Sequence, residues 1–132
     1  MATLVERIRT KLMANSTLLG MVGDRIHALV VPQGSVYPVI VLTVLGETTF
    51  NTQDPTRDTN LCQSSLQVDC YSERYEEAHA VMARVDSIIG VLADPNDLVT
   101  QRDVTLDGYE DLTELYRVTT DYSVFHGVEP VP

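Results

Sequence analysis

Apolar and polar residues recur along the chain with two periods, about 3.6 residues and two residues, and the switches between them mark the elements. Leu4, Val5, Ile8 and Leu12 form one stripe, with Glu6, Arg7, Arg9, Thr10 and Lys11 opposite. That spacing predicts an amphipathic helix over residues 3–13. Ser16 or Thr17 then offers a cap for a short second turn through Leu18, Leu19 and Met21, closed by Gly20 or Gly23. A short strand is expected around Ile26–Val31, followed by a turn at Pro32-Gln33-Gly34-Ser35. Residues 38–46 (PVIVLTVLG) are the most apolar stretch. A β-branched run bounded by proline and glycine predicts a central strand covered on both faces, with Pro38 at its first position.

Residues 61–71 alternate strictly. Cys62, Ser64, Leu66, Val68 and Cys70 share one face, and Gln63, Ser65, Gln67 and Asp69 share the other. Residues 73–89 predict the longest helix. Ala78, Val81, Met82, Val85, Ile88 and Ile89 make its stripe, Ser72 its cap, and Glu73, Glu76 and Glu77 suit the positive end of its dipole. Gly90 and Pro95 end it. Residues 99–106 and 113–125 read as two strands joined through Asp107-Gly108-Tyr109-Glu110-Asp111-Leu112, Asp-Gly being a turn signal. Tyr116, Val118, Thr120, Tyr122 and Val124 alternate there against Arg117, Thr119, Asp121 and Ser123. Residues 126–132 are read as a tail.

Strands follow strands and helices are few. The expected fold class is α+β: an antiparallel-rich sheet of about four to five strands, with two main helices on one face. One domain over residues 1–132 suits the length. The composition breaks once, at residues 47–60 (ETTFNTQDPTRDTN), where periodicity stops and Phe50 is the one bulky apolar residue. This stretch is expected to be a long loop or a flexible hairpin arm, and loops of that length are commonly functional.

Charge narrows the function. Nine bases against nineteen acids leave a net charge of −10, and Lys11 is the only lysine. A chain this acidic repels phosphate backbones and anionic lipid, so affinity built on either is not expected. Residues 1–15 carry charges throughout and resemble no signal peptide. The longest apolar stretch, Val36 to Leu45, falls short of a membrane span. Production and use in the cytosol, or in a particle assembled there, is the expectation. Cys62 and Cys70 lie about 26 Å apart on one continuous strand, too far for a disulfide, and are expected to be buried and inert.

Catalytic patterns are missing from the sequence. His27, His79 and His126 belong to no HExxH, HxH or cysteine–histidine cluster. Asp94, Asn96 and Asp97 begin like a calcium loop but lack its glycine and closing glutamate. Gly20 and Gly23 are followed by no GKS or GKT. Asp103, Asp107, Glu110, Asp111 and Glu114 crowd the last hairpin. They read either as a solvated tip or as an acidic patch turned toward a partner or a channel. A non-enzymatic protein without cofactor or metal, acting through its surface, is the expectation.

Several segments in series carry a resemblance. Val22-Gly23-Asp24-Arg25-Ile26 precedes Pro32-Gln33-Gly34 and Tyr37-Pro38-Val39-Ile40-Val41. After the polar stretch come Leu66-Gln67-Val68-Asp69-Cys70-Tyr71-Ser72 and Tyr75-Glu76-Glu77-Ala78. Together, over roughly residues 4–92, these resemble the tail-completion family of tailed bacteriophages, which includes the tail terminators of long non-contractile tails. The resemblance implies a virion protein assembled in the host cytoplasm. It would form a hexameric ring on the head-proximal end of the tail tube. There it would stop polymerisation and present the surface that joins the head–tail connector or stopper. Implied partners are further copies of the chain, the tail tube protein and that connector. DNA would pass through the ring without specific binding, and no catalytic residues carry over.

Two expectations about residues follow. Phe50, Asp54, Arg57 and Asp58 of the arm would contact the tail tube or a neighbouring subunit. Asp103, Asp107, Glu110 and Asp111 would face the channel. The rival readings are another neck ring, such as a head-closure or stopper protein, and an acidic DNA mimic.

Overall fold

The computed structural model describes residues 3–50, 61–93 and 98–127. The elements run α1 (Leu4–Met13), α2 (Ser16–Val22), β1 (Ile26–Ala28), β2 (Val39–Phe50), β3 (Leu61–Ser72), α3 (Tyr75–Ile89), β4 (Val99–Glu110) and β5 (Leu115–Gly127). The strands form one sheet in the order β1-β2-β3-β5-β4. Only β1 with β2 is parallel; the other three pairings are antiparallel. The architecture is α+β.

The period-two row on β3 builds the core. Cys62, Ser64, Leu66, Val68 and Cys70 are all buried, and the last three meet the stripe Ala78, Val81, Met82, Val85 and Ile89 of α3. Val118, Tyr122 and Val124 of β5 extend this helix-covered face, and Ile8, Leu12, Leu18 and Val22 close it from α1 and α2. Both cysteines are buried and neither is in a disulfide. Burial, aided by the charge of Asp69, pushes the Cys70 thiol far above its ordinary range and leaves it inert.

Local chemistry moves several expected boundaries. Asn15, not Ser16 or Thr17, caps α2: its side chain accepts from the Leu18 amide at 3.0 Å. Three cap-forming residues stand in a row, and the first takes the position. At the other end Gly23 sits at φ 60°, ψ −132°, a conformation open to glycine alone. Gly23→Ala is expected to cost about 1–3 kcal/mol, read as a lower denaturation midpoint. β1 stops at Ala28 because Leu29 turns to φ 68°.

Ser72 acts before α3 begins rather than as its cap. Its hydroxyl accepts from the Arg74 amide at 3.1 Å and donates to Glu77 at 2.6 Å, while Arg74 holds the cap position without a side-chain bond. β2 is interior where β1 flanks it along Ile40–Leu42, and Val39, Ile40, Val41 and Leu42 are all buried, so both its faces are covered there as expected; the strand in the middle of the sheet is β3. β2 also runs further than expected. Glu47, Thr48, Thr49 and Phe50 pair with Ser64, Gln63, Cys62 and Leu61, so the start of the 47–60 stretch is one side of a hairpin.

Asp107-Gly108 is not the turn. Both residues lie inside β4, opposite Val118 and Arg117. The Arg117 guanidinium crosses Gly108 so closely that an added Cβ would stand 3.1 Å from it. The glycine therefore serves a close approach, and cross-strand pairing overrides its turn preference. The chain reverses at residues 111–114, where the Glu114 amide donates to the Glu110 carbonyl at 2.8 Å and Glu114 takes φ 56°. His126 and Gly127, read as tail, belong to β5.

Candidate interaction surface

β4 is an edge strand, largely exposed, and a bulge between Arg102 and Val104 decides where its side chains go. Before the bulge Thr100 and Arg102 lie on the helix-covered face. After it that face receives Thr105, Asp107 and Tyr109, and the second face receives Val104, Leu106 and Glu110. The assignment follows from their partners Thr120, Val118 and Tyr116 on one side, and Asp121, Thr119 and Leu115 on the other.

The helix side fastens β4 to α3. Tyr75 donates to Asp107 at 3.0 Å, and His79 Nε2 stands 3.0 Å from the other oxygen of the same carboxylate. Tyr75 meets His79 edge-on at 4.6 Å and Tyr116 at 5.8 Å, and Tyr109 lies 4.9 Å from Tyr116. Further along, Asp86 accepts from Arg102 at 3.0 Å and from the buried Tyr122 hydroxyl at 2.8 Å. Burial first, then this hydrogen bond, raises the Tyr122 hydroxyl far above its usual range.

The second face gathers acid. Asp69 is only 5% exposed; Thr119 donates to it, and Gln67 donates to both its oxygens at 3.3 and 3.0 Å. Asp103, at the bulge, accepts from Ser123 at 2.7 Å. Glu110 stands 3.6 Å from Arg117. Asp121 lies among them, and burial, then the charges of Asp69 and Asp103, raise its carboxyl above the ordinary range. Protons therefore bind Asp121 more tightly in the folded chain than in the unfolded one. The penalty is full above its folded pKa and gone below its unfolded value. Asp121→Asn is expected to raise the melting temperature at neutral pH. The gain should fade as pH falls through the raised pKa, which melts at neutral and acid pH would show.

Among the described residues no three His, Cys, Asp or Glu side chains are grouped to hold a metal ion. Nor is any helix among them long and apolar enough to cross a membrane. A family model described as "Tail completion protein gp17" matches residues 6–127. The chain belongs to this tail-completion family. The match takes in the final hairpin, beyond the roughly 4–92 that carried the resemblance. No curated protein matches the chain by sequence. A solved chain in "Virion of native gene transfer agent (GTA) particle" shares the fold at a TM-score of 0.64. It is 16% identical, and the alignment covers 95% of each chain. Membership of this family makes the chain a phage tail structural protein.

The structure divides the acidic residues singled out in the sequence. Asp103 and Glu110 share the second face with Asp69 and Asp121, Asp111 stands in the turn, and Asp107 is turned to α3. Phe50 is the last residue of β2, at the hairpin end. Asp54, Arg57 and Asp58 lie outside the described residues. Sequence reasoning missed Asp69 and Asp121 as members of the acidic group. Each was visible in a polar row of its own strand, but the β3–β5 register that joins the rows was not.

Proposed function

We propose that this chain is a tail terminator, a non-enzymatic ring protein that caps the tail tube and offers the head its joining surface. The observation that carries the reading is the tail-completion family match over residues 6–127. The chain assembles as a hexamer on the head-proximal end of the tube, with the tube protein on one side and the connector or stopper on the other. The net charge of −10 supports a ring that lets DNA pass without holding it. The arm within residues 47–60, including Phe50, Asp54, Arg57 and Asp58, contacts the tube or a neighbouring subunit. The acids of the second face and the turn, Asp103, Glu110 and Asp111, approach the channel, whereas Asp107 lies on the α3 side, where Tyr75 donates to it.

Gold-labelled antibody against the chain should mark purified particles at the junction of head and tail. Label on the distal tail tip would overturn the assignment. Asp103→Lys and Asp111→Lys together, both outside the Val104–Glu110 edge, should leave tail assembly intact and slow DNA ejection about tenfold through phosphate attraction. Fluorescence-monitored ejection tests this, and an unchanged rate counts against the channel placement.

A further inference from the structure

We infer that copies of this chain join edge to edge, the β4 strand of one pairing antiparallel with the outer half of β2 of the next. The inference rests on the ring reading above and names the surfaces that would close the ring.

Both ends of the sheet carry unused backbone. On β2, β1 covers Ile40–Leu42 and the Leu29 amide reaches the Leu42 carbonyl. From Val44 to Phe50 no described residue pairs on that side. On β4, the free side meets Ala93 at Val99, and the Thr100 amide donates to the Leu92 carbonyl. From Val104 to Glu110 no described residue pairs there either. Open edges of this kind are templates for another strand.

Side chains beside both edges suit burial. Val104 is 42% and Leu106 57% exposed on β4, and Leu45, set out at a bulge of β2, is 58% exposed. Against the β2 edge lies an open groove of about 470 Å³ whose apolar lining includes Leu4, Val5, Leu29 and Val44. Both acids within Val104–Glu110 already have partners inside the chain. Asp107 is held by Tyr75 and His79, and Glu110 stands beside Arg117.

The strand directions fit a second copy. Three successive antiparallel pairings separate β2 from β4, so within one chain the two edges run in opposite senses. Rotation about a ring axis preserves the sense of each strand along that axis. A neighbour's β4 therefore meets β2 antiparallel, and the contact is head-to-tail, the type that closes a ring. The net charge opposes association, so screening by salt should favour it.

Two variants test this, each changing only exposed side chains. Val104→Lys with Leu106→Lys blocks one edge, and Leu45→Lys with Thr48→Lys blocks the other. Circular dichroism and melting confirm that each folds. At high salt and protein concentration, light scattering should find the unsubstituted chain oligomeric and each variant monomeric. An equal mixture should give twice the monomer mass and nothing larger, because each variant keeps one working edge. Three results overturn the inference: an unsubstituted chain that stays monomeric, a β2-edge variant that still dimerises, or a mixture that stays monomeric. Edge variants that still oligomerise and still complete tails would place the ring contact elsewhere and leave the terminator reading intact. A chain that assembles through these edges yet completes no tails would overturn the terminator reading instead.

Discussion

Replacing residues 51–60 with a two-residue Asn-Gly turn is expected to abolish tail completion and leave a folded chain. The β2–β3 pairing extends to Phe50 opposite Leu61, so a tight turn after Phe50 keeps the hairpin whole. Shortening the connection from ten residues to two lowers the closure cost by about 1.4 kcal/mol, so stability should hold or rise slightly. The core lies on the helix-covered face of the sheet, away from this end. What is removed is the polar stretch with Asp54, Arg57 and Asp58, which the proposed function assigns to the tube or a neighbour. Melting curves should match those of the unaltered chain, while plaque titre collapses. A normal titre would remove the arm from the account.

Leu66→Ala should be the most damaging of the single substitutions considered, at about 3 kcal/mol of unfolding free energy. Leu66 is 1% exposed on the middle strand, with β2 and β5 on either side and α3 above it. Leu66 belongs to the buried core cluster, packed among residues of the sheet and helices, so the cavity term adds to the lost transfer energy. Domains of this size commonly hold only about 5–15 kcal/mol in total, so the variant should melt several degrees lower. Ser65→Ala, one residue along on the exposed second face, is the control and should change stability by less than about 0.5 kcal/mol. Urea midpoints for the two variants give the comparison directly.

The elements with the strongest periodicity were legible in the sequence. The stripes of α1 and α3 and the alternating rows of β3 and β5 all pack as their spacing requires, because burial on one face leaves that signature. Local signals were weaker guides where several competed. Asn15, Ser16 and Thr17 each suit a cap, and Asp107-Gly108 suits a turn that tertiary pairing does not use. The acidic patch shows the deeper difficulty. Asp103 and Asp107 are four residues apart and would share a face on a regular strand. The bulge between Arg102 and Val104 sends them to opposite faces, and no residue pattern announces a bulge. The same face then recruits Asp69 and Asp121 through a register set only by packing. Membership of the tail-completion family was legible in order and motif over the first two-thirds of the chain.

Complementation in vitro decides whether the protein terminates tails. Purified protein is added to a lysate of a phage lacking this gene, and the products are imaged by negative stain and titrated for plaques. Overlong or headless tails should become joined particles of normal length, with recovery of titre. If the lysate already holds normal tails and the defect is heads that leak DNA, the protein belongs to the head side of the neck, and the terminator assignment is contradicted.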